Sequence, residues 1–147
     1  MNIYNWYRVE RWLWLHHIPI LPQIIKVAIR IIWASVLPYQ AEIGENTIIG
    51  YQGLGVVIHK STVIGKNCII RQNVTFGGGG GPEGGVPILG DNVSVGANSV
   101  ILGNVHIGNN VTIGAGAVVV TDIPDNAVAV GVPARVIKIR DVVNDLQ

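Results

Sequence analysis

From residue 41 to residue 119 the chain carries an aliphatic or aromatic residue at nearly every sixth position, and most of these are followed by glycine. The first run is Ile43, Ile49, Ile58, Ile64, Ile70 and Phe76; the second is Leu89, Val95, Ile101, Ile107, Ile113 and Val119. Only two steps depart from six: nine residues separate Ile49 from Ile58, and thirteen separate Phe76 from Leu89. Two residues before each mark stands a small or modest side chain, such as Ala41, Thr47, Val56, Cys68 or Ser99. A helix cannot keep such a pattern on one face. Short strands can, because alternate residues of a strand point the same way, with Gly or Asn turning the chain between them. Hexad repeats of this kind belong to parallel β-helices.

Three six-residue sides close one triangular coil, so twelve marks predict four coils with partial coils at the ends. At the spacing of stacked strands the prism stands roughly 20–25 Å tall. The marked side chains fill it, which makes it a packed core and not a channel. Cys68 falls on an inward position and reads as a small buried hydrophobe.

Both ends lose the rhythm. Residues 1–38 read as a short N-terminal helical segment. Gln23, Lys26 and Arg30 recur at helical spacing and leave a wide apolar face from Ile24 to Val36, with Pro19, Pro22 and Pro38 as brackets. Two uses are open for it: a cap packed on the prism or between subunits, or a helix lying in a membrane interface with aromatic and basic anchors. It is too short and too charged to span a bilayer. Residues 39–131 form the β-helix, with a loop at 77–88, and 132–147 form an extended C-terminal tail. Thr121-Asp-Ile-Pro-Asp-Asn126 reads as a break in the repeat.

Charge excludes some functions. Only 13% of the 147 residues are charged and the net charge is +1, so no basic stripe is available for a nucleic-acid backbone. One cysteine permits no internal disulfide. No zinc-type ligand cluster is visible, so no metal is expected. No secretory leader is legible at the start, which makes the cytoplasm the expected location.

The Ile-Gly hexads, VTFGG at 74–78, IGAGAVV at 113–119, TDIPDN at 121–126 and GVPARVI at 131–137 together resemble the hexapeptide-repeat acyltransferases, in particular the serine acetyltransferase-like branch. The resemblance implies an all-β, left-handed parallel β-helix, a homotrimer, and acetyl-CoA bound in grooves between neighbouring prisms. Handedness comes from the resemblance alone, since parallel crossovers are normally right-handed. The serine-site residues of that branch do not carry over. Its catalytic histidine aligns with Gln52, the aspartate that orients it falls near Val36, and a second histidine falls near Val86.

Acetyl transfer to an alcohol needs a base, donors for the oxyanion, and two substrates held together. His16 and His17 lie in the aromatic N-terminal segment, and His106 points outward between inward Val105 and Ile107. His59 occupies a corner position that is glycine in most hexads, directly after the insertion at 50–55, and is the candidate base. Tyr51 and Gln52 are candidates to line the pocket or orient the acceptor. The glycine-rich loop from Gly77 to Pro87 lacks the Lys-Ser/Thr and following helix of a phosphate loop. It reads as a flap whose Gly77 and Gly78 amides could meet the thioester, with Glu83 solvated. The resemblance places the coenzyme along Gly96, Ala97, Gly114 and Ala115, with Arg135 and Lys138 toward its phosphates.

The expected function is acetyl-CoA-dependent O-acetyl transfer, with a sugar hydroxyl of a surface polysaccharide or its precursor as acceptor. L-serine is the alternative acceptor, and a non-catalytic trimeric scaffold is the alternative of another class. A peripheral membrane contact through residues 1–38 goes with the glycan reading.

Overall fold

A computed structural model describes residues 2–80 and 84–141. Three sheets wrap one core, and every pairing within the coils is parallel. In chain order, the first wall stacks Glu42–Ile43, Val63–Ile64, Ile88–Leu89 and His106–Ile107. The second stacks Ile48–Ile49, Ile69–Ile70, Ser94–Val95, Thr112–Ile113 and Ala127–Val130. The third stacks Val57–Ile58, Thr75–Gly77, Val100–Leu102 and Val118–Val119. The result is a left-handed β-helix.

Equivalent marks lie directly over one another: Ile43 over Ile64, Ile64 over Leu89, and Leu89 beside Ile107. Eleven of the twelve marks are buried, while Ile43, on the first coil, is half-buried. All twelve companions two residues earlier are buried as well, Pro87 and Cys68 among them. Burial pushes the Cys68 thiol up from its ordinary range, as expected for a packed hydrophobe. Two of the inward hydroxyls bond to the coil backbone, while the Thr62 hydroxyl has no partner among the described residues. Thr47 Oγ1 donates to the Gly65 carbonyl and accepts from the Cys68 amide, and Ser99 Oγ reaches the Gly96 and Gly114 carbonyls.

Asparagine turns the chain from the first wall to the second. Asn46, Asn67, Asn92, Asn110 and Asn126 all have positive φ, a region that asparagine tolerates better than most residues. Three of these amides also form a ladder, Asn92 to Asn110 at 3.1 Å and Asn110 to Asn126 at 3.0 Å.

Two expectations about the ends are corrected. Residues 121–126 do not interrupt the coil: Ile123 is 3% exposed and bridges to Ile107 on the first wall, and Asn126 makes the usual turn. The repeat was hidden because the step from Val119 to Ile123 is four residues. Beyond it, Arg135–Ile139 is not a free tail but pairs antiparallel with Ala127–Val130.

The N-terminal segment is a helical cap. Helix α1 spans Ile3–Leu15, with Asn2 accepting from the Asn5 amide at its start, and α2 spans Leu21–Trp33. Tyr7 fastens α1 to the first coil, its hydroxyl donating to the Ala41 carbonyl at 2.6 Å and accepting from the Ile43 amide at 3.1 Å. Burial pushes the Tyr7 phenol up to about 12. Arg11 donates to the Tyr39 and Ala41 carbonyls. Among the described residues, no helix is long and apolar enough to cross a membrane.

Candidate active site

The residue after each mark sits on an edge of the prism, and the three edges differ. Between the first and second walls these residues are Gly44, Gly65, Gly90 and Gly108. Each coil presses on the next there: a Cβ on Gly44 would run into the Gly65 backbone, and one on Gly65 into the Gly90 backbone. Between the second and third walls stand Gly50, Arg71, Gly96 and Gly114. The third edge, where the third wall returns to the first, carries His59, Gly77, Leu102 and Val120. It is the edge richest in side chains.

His59 heads that column and is half-buried. Its amide donates to the Phe76 carbonyl at 2.9 Å, which fixes the residue to the coil below. Its Nδ1 accepts from the Ser61 amide at 3.2 Å. The neutral ring therefore carries its proton on Nε2, and Nδ1 is the basic nitrogen. The ring faces the start of the glycine-rich loop: a methyl on Gly78 would lie 3.7 Å from Cδ2 and 3.8 Å from Nε2. A Cβ on Gly77 would sit 2.7 Å from Leu102 Cδ2, the end of a side chain that can turn aside. The loop is closed at its base by the Gly79 amide on the Gly85 carbonyl, 2.9 Å. Its tip, with Glu83, lies outside the described residues. Below Gly77, Leu102 and Val120 are 37% and 49% exposed, an apolar strip leading away from His59.

The other expected site residues lie elsewhere. Tyr51 and Gln52 are on the edge between the second and third walls, not beside His59. Both have positive φ, 49° and 55°, in a tight turn over Gly50–Gly53. Gln52 Oε1 accepts from the Ile3 amide at 3.0 Å and so holds the start of α1. The side chain is long enough to reach the helix end, whose first amides lack intrahelical partners. Tyr51 is 74% exposed. Val36, at the position of the orienting aspartate, bridges to Val57.

Gly96, Ala97, Gly114 and Ala115 lie together, on the same edge as Tyr51. Stacking alone explains the glycine at 96, whose Cβ would run into the Gly114–Ala115 backbone. Arg135 and Lys138 are exposed on the antiparallel strand of the second wall, and Arg135 donates to the Ala134 carbonyl. Within one chain these residues and His59 stand on different edges. The residues missed from sequence are Leu102 and Val120. The signal was present, as they occupy corner positions where most hexads have glycine. Arg71, exposed on the edge with Gly96, was also passed over.

Residues 87–121 match the model of the bacterial transferase hexapeptide, six repeats. That match covers the coils from Pro87 to Thr121, about a quarter of the chain. Among its relatives is a serine acetyltransferase of Synechococcus elongatus, 40% identical over 132 residues, which are 89% of this chain and 54% of that protein. A solved serine acetyltransferase in complex with cysteine superposes with a TM-score of 0.86 at 31% identity, covering 95% of this chain and 54% of that one. A serine acetyltransferase in complex with CoA gives 0.82 at 30% identity, covering 92% and 55%. The chain thus spans about half the length of the relatives it matches. None of these three is a polysaccharide enzyme. Among the described residues there is no cluster of three or more His, Cys, Asp or Glu that could hold a metal.

Proposed function

We propose that this chain moves an acetyl group from acetyl-CoA to an alcohol at the His59 edge. The observation that carries the reading is His59 itself, an imidazole held against the Gly77–Gly78 turn at the head of the edge's apolar strip. The acceptor hydroxyl displaces the Ser61 amide at Nδ1 and gives up its proton there. Its oxygen attacks the thioester carbonyl, the carbon–sulfur bond breaks, and the imidazolium returns the proton to the departing thiolate. The Leu102–Val120 strip supports the apolar part of the donor. A homotrimer supplies the second wall of the groove, which brings the Ala97–Ala115 edge of one copy to the His59 edge of the next.

The relatives favour L-serine as acceptor. A sugar hydroxyl is the second reading, favoured by one observation: at Gln52, where the resemblance to serine acetyltransferases would place the catalytic histidine, the side chain is occupied with the Ile3 amide. Thiol release from acetyl-CoA, measured with L-serine and with a panel of sugars, separates them. Turnover with either acceptor, reduced about 10²–10⁴-fold in His59→Ala, supports the mechanism. Absence of both turnover and CoA binding makes the chain a scaffold. Full turnover in the variant moves the base elsewhere.

A further inference from the structure

The apolar face of α2 is left uncovered by the prism. Ile20, Leu21, Ile24, Val27, Ile31 and Ile32 are each between 47% and 77% exposed. Ile20, Ile24, Val27 and Ile31 recur at steps of four, three and four, which places them in one stripe along the helix. Exposed aliphatics in such a row are the mark of an interaction surface. The charge around them is of one sign. Glu10 is the only acidic residue among residues 1–41, and it is 0% exposed. Arg8 and Arg30 are exposed and Lys26 is half-buried, so the charge that this segment presents is positive. Trp12 and Trp14, on α1, are 54% and 40% exposed.

We infer that α2 lies on an anionic lipid surface, with the Ile24–Val27–Ile31 stripe entering the acyl boundary and Arg30 meeting the headgroups. Two observations choose this occupant. A second copy packed on the stripe would set Arg30 against like charge, and the exposed carboxylates at the cap, Glu42 and Glu45, are already paired with Arg11 and Lys66, whereas an anionic bilayer offsets both copies' charge. The combination of an aliphatic stripe, flanking cations and tryptophans on the neighbouring helix is also what an interfacial helix requires. Docking by α2 would hold the prism at the membrane and leave the His59 edge, on the coils below the cap, open to solvent.

The test is co-sedimentation of the full chain with phosphatidylcholine vesicles, with and without phosphatidylglycerol, alongside sedimentation velocity for the oligomeric state. Binding to the anionic vesicles alone is expected, weakened by 0.5 M salt (about 4 Å screening length). The triple variant Ile24→Ser, Val27→Ser, Ile31→Ser is expected to bind at least about tenfold more weakly. Its oligomeric state should not change. These side chains are exposed, so folding is not at stake, and circular dichroism confirms it. No enrichment on anionic vesicles, or undiminished binding by the variant, overturns the inference. So does a variant that falls to smaller oligomers, because the stripe is then an interface between copies.

Discussion

Glu10 makes the cap sensitive to pH in a calculable way. Its carboxyl is 0% exposed and neither oxygen has a hydrogen-bond partner among the described residues. Burial pushes its pKa up from 4.5 to about 8, against a smaller downward pull from Lys26. The fold therefore holds the acid protonated at neutral pH. Below about pH 4.5 both folded and unfolded chains carry the proton, and the group contributes its full stability. As pH rises, only the unfolded chain ionises, and stability is lost at about 1.4 kcal/mol per pH unit until the folded acid ionises near 8. The whole loss is roughly 5 kcal/mol. Glu10→Gln removes the titration and leaves the shape. Urea unfolding of both proteins, at one protein concentration and at pH 5.5, 6.5 and 7.5, measures it. The variant should gain roughly 3 kcal/mol on the wild type between the first and last pH. The buried amide shifts the whole curve but not this difference. Parallel curves would refute the argument, because they would mean that Glu10 ionises equally in both states.

Other outcomes follow from the same geometry. Gly65→Ala should cost about 1–3 kcal/mol in thermal or urea unfolding, since its methyl meets the Gly90 backbone. Gly80→Ala, whose methyl would meet nothing within 4 Å, should stay within about 0.5 kcal/mol. Phe76→Ala, emptying the 1%-exposed centre of the third wall, should cost about 3–5 kcal/mol. Gln52→Ala should lower stability by about 1 kcal/mol through the loosened α1 start, with KM for any acceptor unchanged. A raised KM would return Gln52 to the acceptor site.

The coils were legible because a β-helix repeats one local rule. Each hexad sets its own inward pair, and the pattern from Ile43 to Val119 needs no distant contact to be read. The same rule hid the fifth rung, since Ile123 follows Val119 at the wrong step and is recognised only by its bridge to Ile107. His59 stood out as an imidazole in a glycine position. That Gln52 serves the helix could not be read, because its partner Ile3 lies 49 residues away in a segment without the repeat. Nor could the contrast between the three edges be seen until the marks were sorted by wall. Once that is done, the glycine edge is explained by contact between coils and the His59 edge is not.

The central claim is that the edge of His59, Gly77, Leu102 and Val120 is where the thioester is held. A crystal structure of the full chain with CoA tests it most directly. The account predicts two copies side by side, with the CoA sulfur against His59 and Gly78 of one copy and the pantetheine along the Ala97–Ala115 edge of the other. CoA seated away from His59, or bound by a single copy alone, would contradict it.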